Sequence, residues 1–188
     1  MDNDRHSVEL IALPAESQIS DIYPSMDLAD AYAIRLPENA ITDPELLARF
    51  VLSHQAPWVA GLMRLRDMLV AGFGIKTSGQ LQNLANSDGD KRIHIFKIYQ
   101  TGANEIVLGE DDKHLDFRLS LLRQIRLEPA GSSPYLVLST VVHCHNLLGR
   151  TYIFLIAPFH RLVVQSSLRR AARVGWPTSP VLASNASR

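Results

Sequence analysis

Residues 141 to 164 read VVHCHNLLGRTYIFLIAPFHRLVV and gather His143, Cys144, His145 and His160, including the only cysteine of the chain. A thiol beside an imidazole can act as a nucleophile and base, and imidazoles beside a carboxylate can hold a metal. Spacing decides between these. Side chains alternate along a strand, so His143 and His145 share one face about 7 Å apart while Cys144 points to the other. The cysteine and its neighbours are therefore not a local catalytic pair. Cys144 continues the row Leu136, Leu138, Thr140, Val142, which is mostly apolar, and reads as a small core residue.

The partners of the histidines follow from register, because a slip of one residue would set polar side chains against the apolar row. Matching Leu136, Leu138 and Val142 to Phe117, Leu119 and Leu121 puts His143 and His145 on the face of His114, Asp116, Arg118 and Ser120. A short loop from Leu147 to Arg150 would then set His145 beside Tyr152 and His143 beside Phe154. Three readings of this face stay open. It can be an outer sheet surface or homodimer contact whose charges satisfy one another. It can be a ligand pocket in which His114, Tyr152, Phe154 and Phe159 touch a small molecule. It can also be an active site of a small cyclase, dehydratase or isomerase. His143 or His145 would then be the general base, Asp116 its orienting carboxylate and Arg118 the oxyanion partner. His143 and His145 with Asp116 or His114 could supply three metal ligands, but two histidines at this spacing are a weak signal, so no metal is expected. His160 reads as a polar residue near the start of a last helix. EDDKH, residues 110 to 114, lacks the glycine and spacing of an EF-hand and reads as a hairpin turn.

A chain of 188 residues suits one domain. Nineteen basic and nineteen acidic side chains cancel, so no overall field draws it to nucleic acid, and no nucleic-acid partner is expected. One cysteine cannot form an internal disulfide. The start is acidic without a long apolar run, which points to the cytoplasm. The longest apolar stretch, YIFLIAPF, is too short to cross a membrane and reads as a buried strand.

The elements that must position these residues begin after an irregular segment, 1–28. ADAYAIRLP alternates, with Tyr32, Ile34 and Leu36 on one side, and predicts a strand. TDPELLARFVLSH predicts a helix capped by Thr42 or Asp43, and Pro57 opens a second helix with a stripe of Trp58, Leu62, Leu65, Leu69 and Phe73. From 92 to 157 five strands follow through short links: RIHIFKIYQ, EIVLGE, HLDFRLSLLRQI, YLVLSTVVHCH and TYIFLIA. Pro158 opens a final helix, in which Phe159, Leu162 and Val163 face away from Val164, Leu168 and Ala171. The tail 176–188 reads as loose. The fold class is α+β: an antiparallel sheet of about six strands wrapped around a long C-terminal helix, with two helices after the first strand. This is the order of a helix-grip domain over 29–175.

The segments PWVAGLMRLRDMLVAGFGIK, GEDDKHLDFRLSLL, HNLLGRTYIFLIAPFHRLVV and SLRRA resemble an uncharacterised bacterial family, domain of unknown function number 2867, over roughly residues 29 to 173. The family looks related to the polyketide cyclase, START and birch-pollen-allergen group. That resemblance implies binding of an apolar or amphipathic small molecule between the sheet and the C-terminal helix, and it transfers no catalytic residues. Some relatives carry a dehydrogenase-like domain ahead of this one. Here GFG, residues 72 to 74, ends a helix without a strand and GxGxxG, so no nicotinamide or other cofactor is expected.

Overall fold

Side chains that alternate between two faces organise seven segments of the chain into strands. The computed structural model describes residues 6–54, 58, 59, 61, 91–129 and 131–179. Among these, seven strands are β1 Val8–Ile11, β2 Leu28–Arg35, β3 Arg92–Ile93, β4 Phe96–Thr101, β5 Glu105–Asp111, β6 Leu115–Glu128 and β7 Gly131–Cys144. They form one sheet in the order β1-β2-β7-β6-β5-β4-β3, with every pairing antiparallel. Two helices, α1 Pro44–Ser53 and α2 Leu147–Val174, accompany it. Apart from Trp58, Val59 and Gly61, the expected second helix lies outside the described residues, as do most of the polar connection after it and the end of the tail.

The α+β class and the long C-terminal helix are as expected; the strands differ in four places. The N-terminal segment expected to be irregular contributes β1, whose four residues pair with Ala31 to Ile34 of β2. RIHIFKIYQ is two strands rather than one. His94 adopts a left-handed φ of 53°, which turns the chain so that Ile93 pairs with Phe96. RLEPAGSSP, expected as a loop, is mostly strand: β6 and β7 pair without interruption from Leu115↔Cys144 to Glu128↔Gly131.

TYIFLIA, expected as the last strand, is helical and belongs to α2. An apolar run without polar interruptions carries no period to separate strand from helix. The deciding signals lie beside it. The Asn146 side chain caps the helix by accepting from Gly149 N at 3.1 Å. The buried residues Gly149, Ile153, Val164, Ser167, Leu168 and Ala171 recur along one side for the whole length. Pro158 sits inside the helix rather than at its start. It has no N–H to offer the carbonyl of Phe154, a residue left 81% exposed, where water can serve that oxygen. By length and composition α2 would suffice to cross a membrane; in the structure its buried side lies on the sheet.

The main core lies between the sheet and the two helices. Tyr32, Ile34, Leu108, Leu121, Leu136 and Leu138 meet Leu47 and Val51 of α1 and Val164, Leu168 and Ala171 of α2, each large side chain adding about 1.5–3 kcal/mol when fully buried. Asp43 caps α1, its carboxylate accepting from Glu45 N and Leu46 N at 2.8 and 3.1 Å. The start of the tail is tied down as well: Trp176 is buried in this core and Ser179 N donates to Asn39 O. The opposite face of the sheet is also covered, by residues 12–27. Leu13, Ile19, Tyr23 and Met26 pack there on Ala31, Ala33, Val107, Val137 and Val141.

The first turn of α2 touches the β5–β6 turn so closely that a Cβ on Gly149 would collide with the His114 carbonyl oxygen. Alanine is about 1 kcal/mol better than glycine in a helix interior, yet Gly149→Ala is expected to destabilise the protein by about 1–3 kcal/mol through overpacking. A lower urea midpoint with an unchanged denaturant slope is the expected result; a raised midpoint would contradict the contact.

Candidate functional site

The parity expected for the central strands is observed. Phe117 faces Val142 and Leu121 faces Leu138 on the helical side, and Asp116 faces His143 on the other. Cys144 lies on the helical side in a small core with Leu28, Leu115, Val142 and Ile153. Burial, reinforced by the Asp27 carboxylate, pushes its thiol up to about 11.

Asp116, Arg118, His143 and His145 do come together on the face away from the helices. His145 Nε2 donates to Asp116 Oδ2 at 3.0 Å. The rings of His143 and His145 lie 5.6 Å apart. His143 Nδ1 is 2.9 Å from Ser25 O, so that nitrogen carries the proton of the bond, and its ring stacks on Tyr23. Arg118 is committed to its neighbours. Its Nη1 donates to Asp111 Oδ1 at 2.7 Å and to Phe117 O at 2.8 Å, while the guanidinium lies 3.7 Å above the Tyr99 ring. The histidine–aspartate pair sits on a half-buried ledge, its side chains 34% and 23% exposed. His114 is at the edge of this ledge, where its Nδ1 accepts from Asn146 Nδ2 at 3.0 Å. Among the described residues no three His, Cys, Asp or Glu side chains gather as a metal site.

Tyr152 and Phe154 do not join this face, which corrects the expected pairing with His145 and His143: helix formation carries both to the other side of the sheet. Phe159 also lies on α2, half exposed. Sequence reasoning missed what covers the ledge and what lies beside it. Glu105, buried, accepts from Ser120 Oγ at 2.5 Å, Ser17 Oγ at 2.6 Å and Gln18 N at 3.1 Å. That network fastens the N-terminal segment to the sheet. Eighty-eight residues separate Ser17 from Glu105, and no local pattern marks such a pair.

The second place of interest is on the helical side, where the start of β2 meets the first half of α2. A cleft of about 520 Å³ is lined by Leu28, Ile153, Phe154, Ala157 and Pro158, with Asp27, Arg150 and Arg161 as its charged members. Asp27 anchors one end, accepting from Cys144 N at 2.7 Å and pairing with Arg150 Nε at 3.2 Å. Asp30, which follows Leu28 on the helical face of β2, lies 3.5 Å from His160 Nε2 and 3.8 Å from Arg161 Nε. His160 is thus in mid-helix against the sheet, rather than at a helix start as expected.

Two outcomes follow from the titrating groups. Burial raises the Tyr23 phenol to about 12 against the opposing pull of Arg118, and the hydrogen bond to Glu128 raises Tyr135 to about 12. An unfolded tyrosine ionises near pH 10. The neutral phenols therefore add stability that is complete below about pH 10 and lost as pH rises through about 12. Tyrosinate absorbance should appear at higher pH in folded than in urea-unfolded protein; coincident curves would refute this. At pH 8 a thiol reagent should modify Cys144 only as fast as the protein opens, since the raised, buried thiol supplies little thiolate. Rapid labelling of folded protein would place Cys144 elsewhere.

No curated protein and no solved structure matches the chain. A family model described as protein of unknown function (DUF2867) matches residues 22–167. The match takes in β2 and most of α2, and with them both the ledge and the cleft. It covers well over half of the 188 residues, and the chain belongs to the DUF2867 family.

Proposed function

We propose that the protein binds an apolar or amphipathic small molecule in the cleft between β2 and α2. The observation that carries this reading is the cleft itself. Its volume, about 520 Å³, falls in the range of about 300–1,000 Å³ typical of ligand sites. Its walls are mainly apolar and a few charged groups stand at one side, the composition that holds an apolar body and orients a polar end. The resemblance to the START and polyketide cyclase group, in which ligands lie between sheet and C-terminal helix, supports the same location by analogy of fold. The catalytic alternative would use His143 or His145 with Asp116 and Arg118, on the far side of the sheet from this cleft. Those groups would need an enclosed surrounding to act on a substrate.

A second reading, self-association, rests on a separate observation. Leu148, Tyr152, Leu155, Phe159 and Leu162 recur at alternating spacings of four and three, the spacing of a coiled-coil seam. Leu155, Phe159 and Leu162 are all about half exposed. A second copy laid along this seam would form a homodimer.

Filling the cleft tests the first reading. Ala157→Trp should abolish binding of an environment-sensitive apolar dye and any co-purified small molecule seen by native mass spectrometry, with the helical signal unchanged. Dye binding undiminished in this variant would exclude the cleft. Leu155→Glu with Leu162→Glu should leave dye binding intact and lower the sedimenting mass to that of one chain. A wild-type protein already sedimenting as one chain at high concentration would end the second reading.

A further inference from the structure

The cleft has a chemical sign, set by which of its charged groups can leave. Behind the lining members Asp27, Arg150 and Arg161, and two residues beyond the lining Leu28, lies Asp30, with a side chain only 3% exposed. Neither of its oxygens receives a hydrogen bond, nor does Thr140 Oγ1, which belongs to the residue directly opposite on β7. Its nearest basic neighbours stand at 3.5 Å, His160 Nε2, and 3.8 Å, Arg161 Nε. A buried carboxylate without donors is costly, and these unfilled acceptors lie next to Leu28 and Arg161, which line the cleft.

Two carboxylates and two guanidiniums meet here, but they are not equally free. The side chains of Arg150 and Arg161 are 63% and 54% exposed, against 21% for Asp27 and 3% for Asp30. Long exposed arginines can swing into water at little cost, whereas the carboxylates are fixed on β2 and just before it. When a polar head enters, the arginines yield and the negative charge stays. An anionic head would meet that charge; a hydroxyl could satisfy one acceptor and leave the charge unmatched. An ammonium offers three N–H donors, enough for both Asp30 oxygens and the Thr140 hydroxyl, and it replaces the charge of the departing Arg161.

We propose that the ligand is an amphipathic amine, with its apolar body against Leu28, Ile153 and Phe154 and its ammonium on Asp30. This rests on the cleft being a ligand site. The test is calorimetric titration at pH 7 with decylamine, decanol and decanoate, each below its micelle concentration. Decylamine should bind at least tenfold tighter than decanol, and decanoate weakest. Asp30→Asn should erase the advantage of the amine over the alcohol. Arg161→Gln changes an exposed side chain, so it remains informative even if the Asp30 variant does not fold. It removes the competing cation and should tighten decylamine binding severalfold. Decanoate binding as well as decylamine, an amine preference surviving Asp30→Asn, or amine binding unchanged or weakened in Arg161→Gln would each overturn the assignment while leaving the cleft as a binding site. Failure of all three probes to bind the wild type would instead remove the cleft reading itself.

Discussion

The fourteen-residue pairing of β6 with β7 governs the rest of the structure. Its register decides in one step that Phe117, Leu119 and Leu121 face the helices and that Asp116, Arg118 and Ser120 face away. A shift of one residue would exchange the two sets and bury Asp116 and Arg118 under α2. Each outer flank then inherits the same parity, β2 through β7 and β5 through β6. The apolar floor for α1 and α2, and the polar floor that receives the N-terminal segment, are two sides of one choice.

That choice was legible in the amino-acid sequence because alternation in LDFRLSLL and YLVLSTVVHC is strong and the parity argument needs nothing else. The neighbours Asp116, His143 and His145 followed from it. The identity of the last element was not legible, since YIFLIA is apolar in every direction and Pro158 resembles a helix start as readily as a helix interior. Reading Asn146 as a cap, with Gly149 three residues on and a buried stripe through Ile153, Val164 and Leu168, would have found it. The split at His94 rests on one left-handed residue, which sequence seldom announces outside glycine and asparagine. The cleft was hidden by the same error that made TYIFLIA a strand, because its wall is the first half of α2.

The two faces of the sheet handle charge differently. On the N-terminal segment's side the buried ions are partnered: Glu105 accepts from two hydroxyls and a backbone amide, and Arg118 is held by Asp111 and two tyrosine rings, with its Nε alone left without an acceptor. Such groups rigidify a fold and have little left for a visitor. On the helical side Asp30 keeps open acceptors beneath the buried side of α2. A buried carboxylate with both oxygens unsatisfied is a stronger pointer to function than a half-exposed group of histidines.

The sheet does not close on itself, and its two ends are strands of four and two residues, β1 and β3. Open strand edges are templates on which other chains can add, the route to edge-to-edge aggregation. Here the long inner strands, two of them fourteen residues, are flanked on both sides by pieces too short to template much. β1 carries Glu9 in mid-strand, and β3 ends the sheet just before the tight turn at His94. The short strand that sequence reading passed over at residues 8–11 thus guards the apolar β2 against polymerisation. A chain truncated before Leu13 would bare the edge of β2 from Ala31 to Ile34, the four residues that β1 covers, and lose solubility before it lost its core.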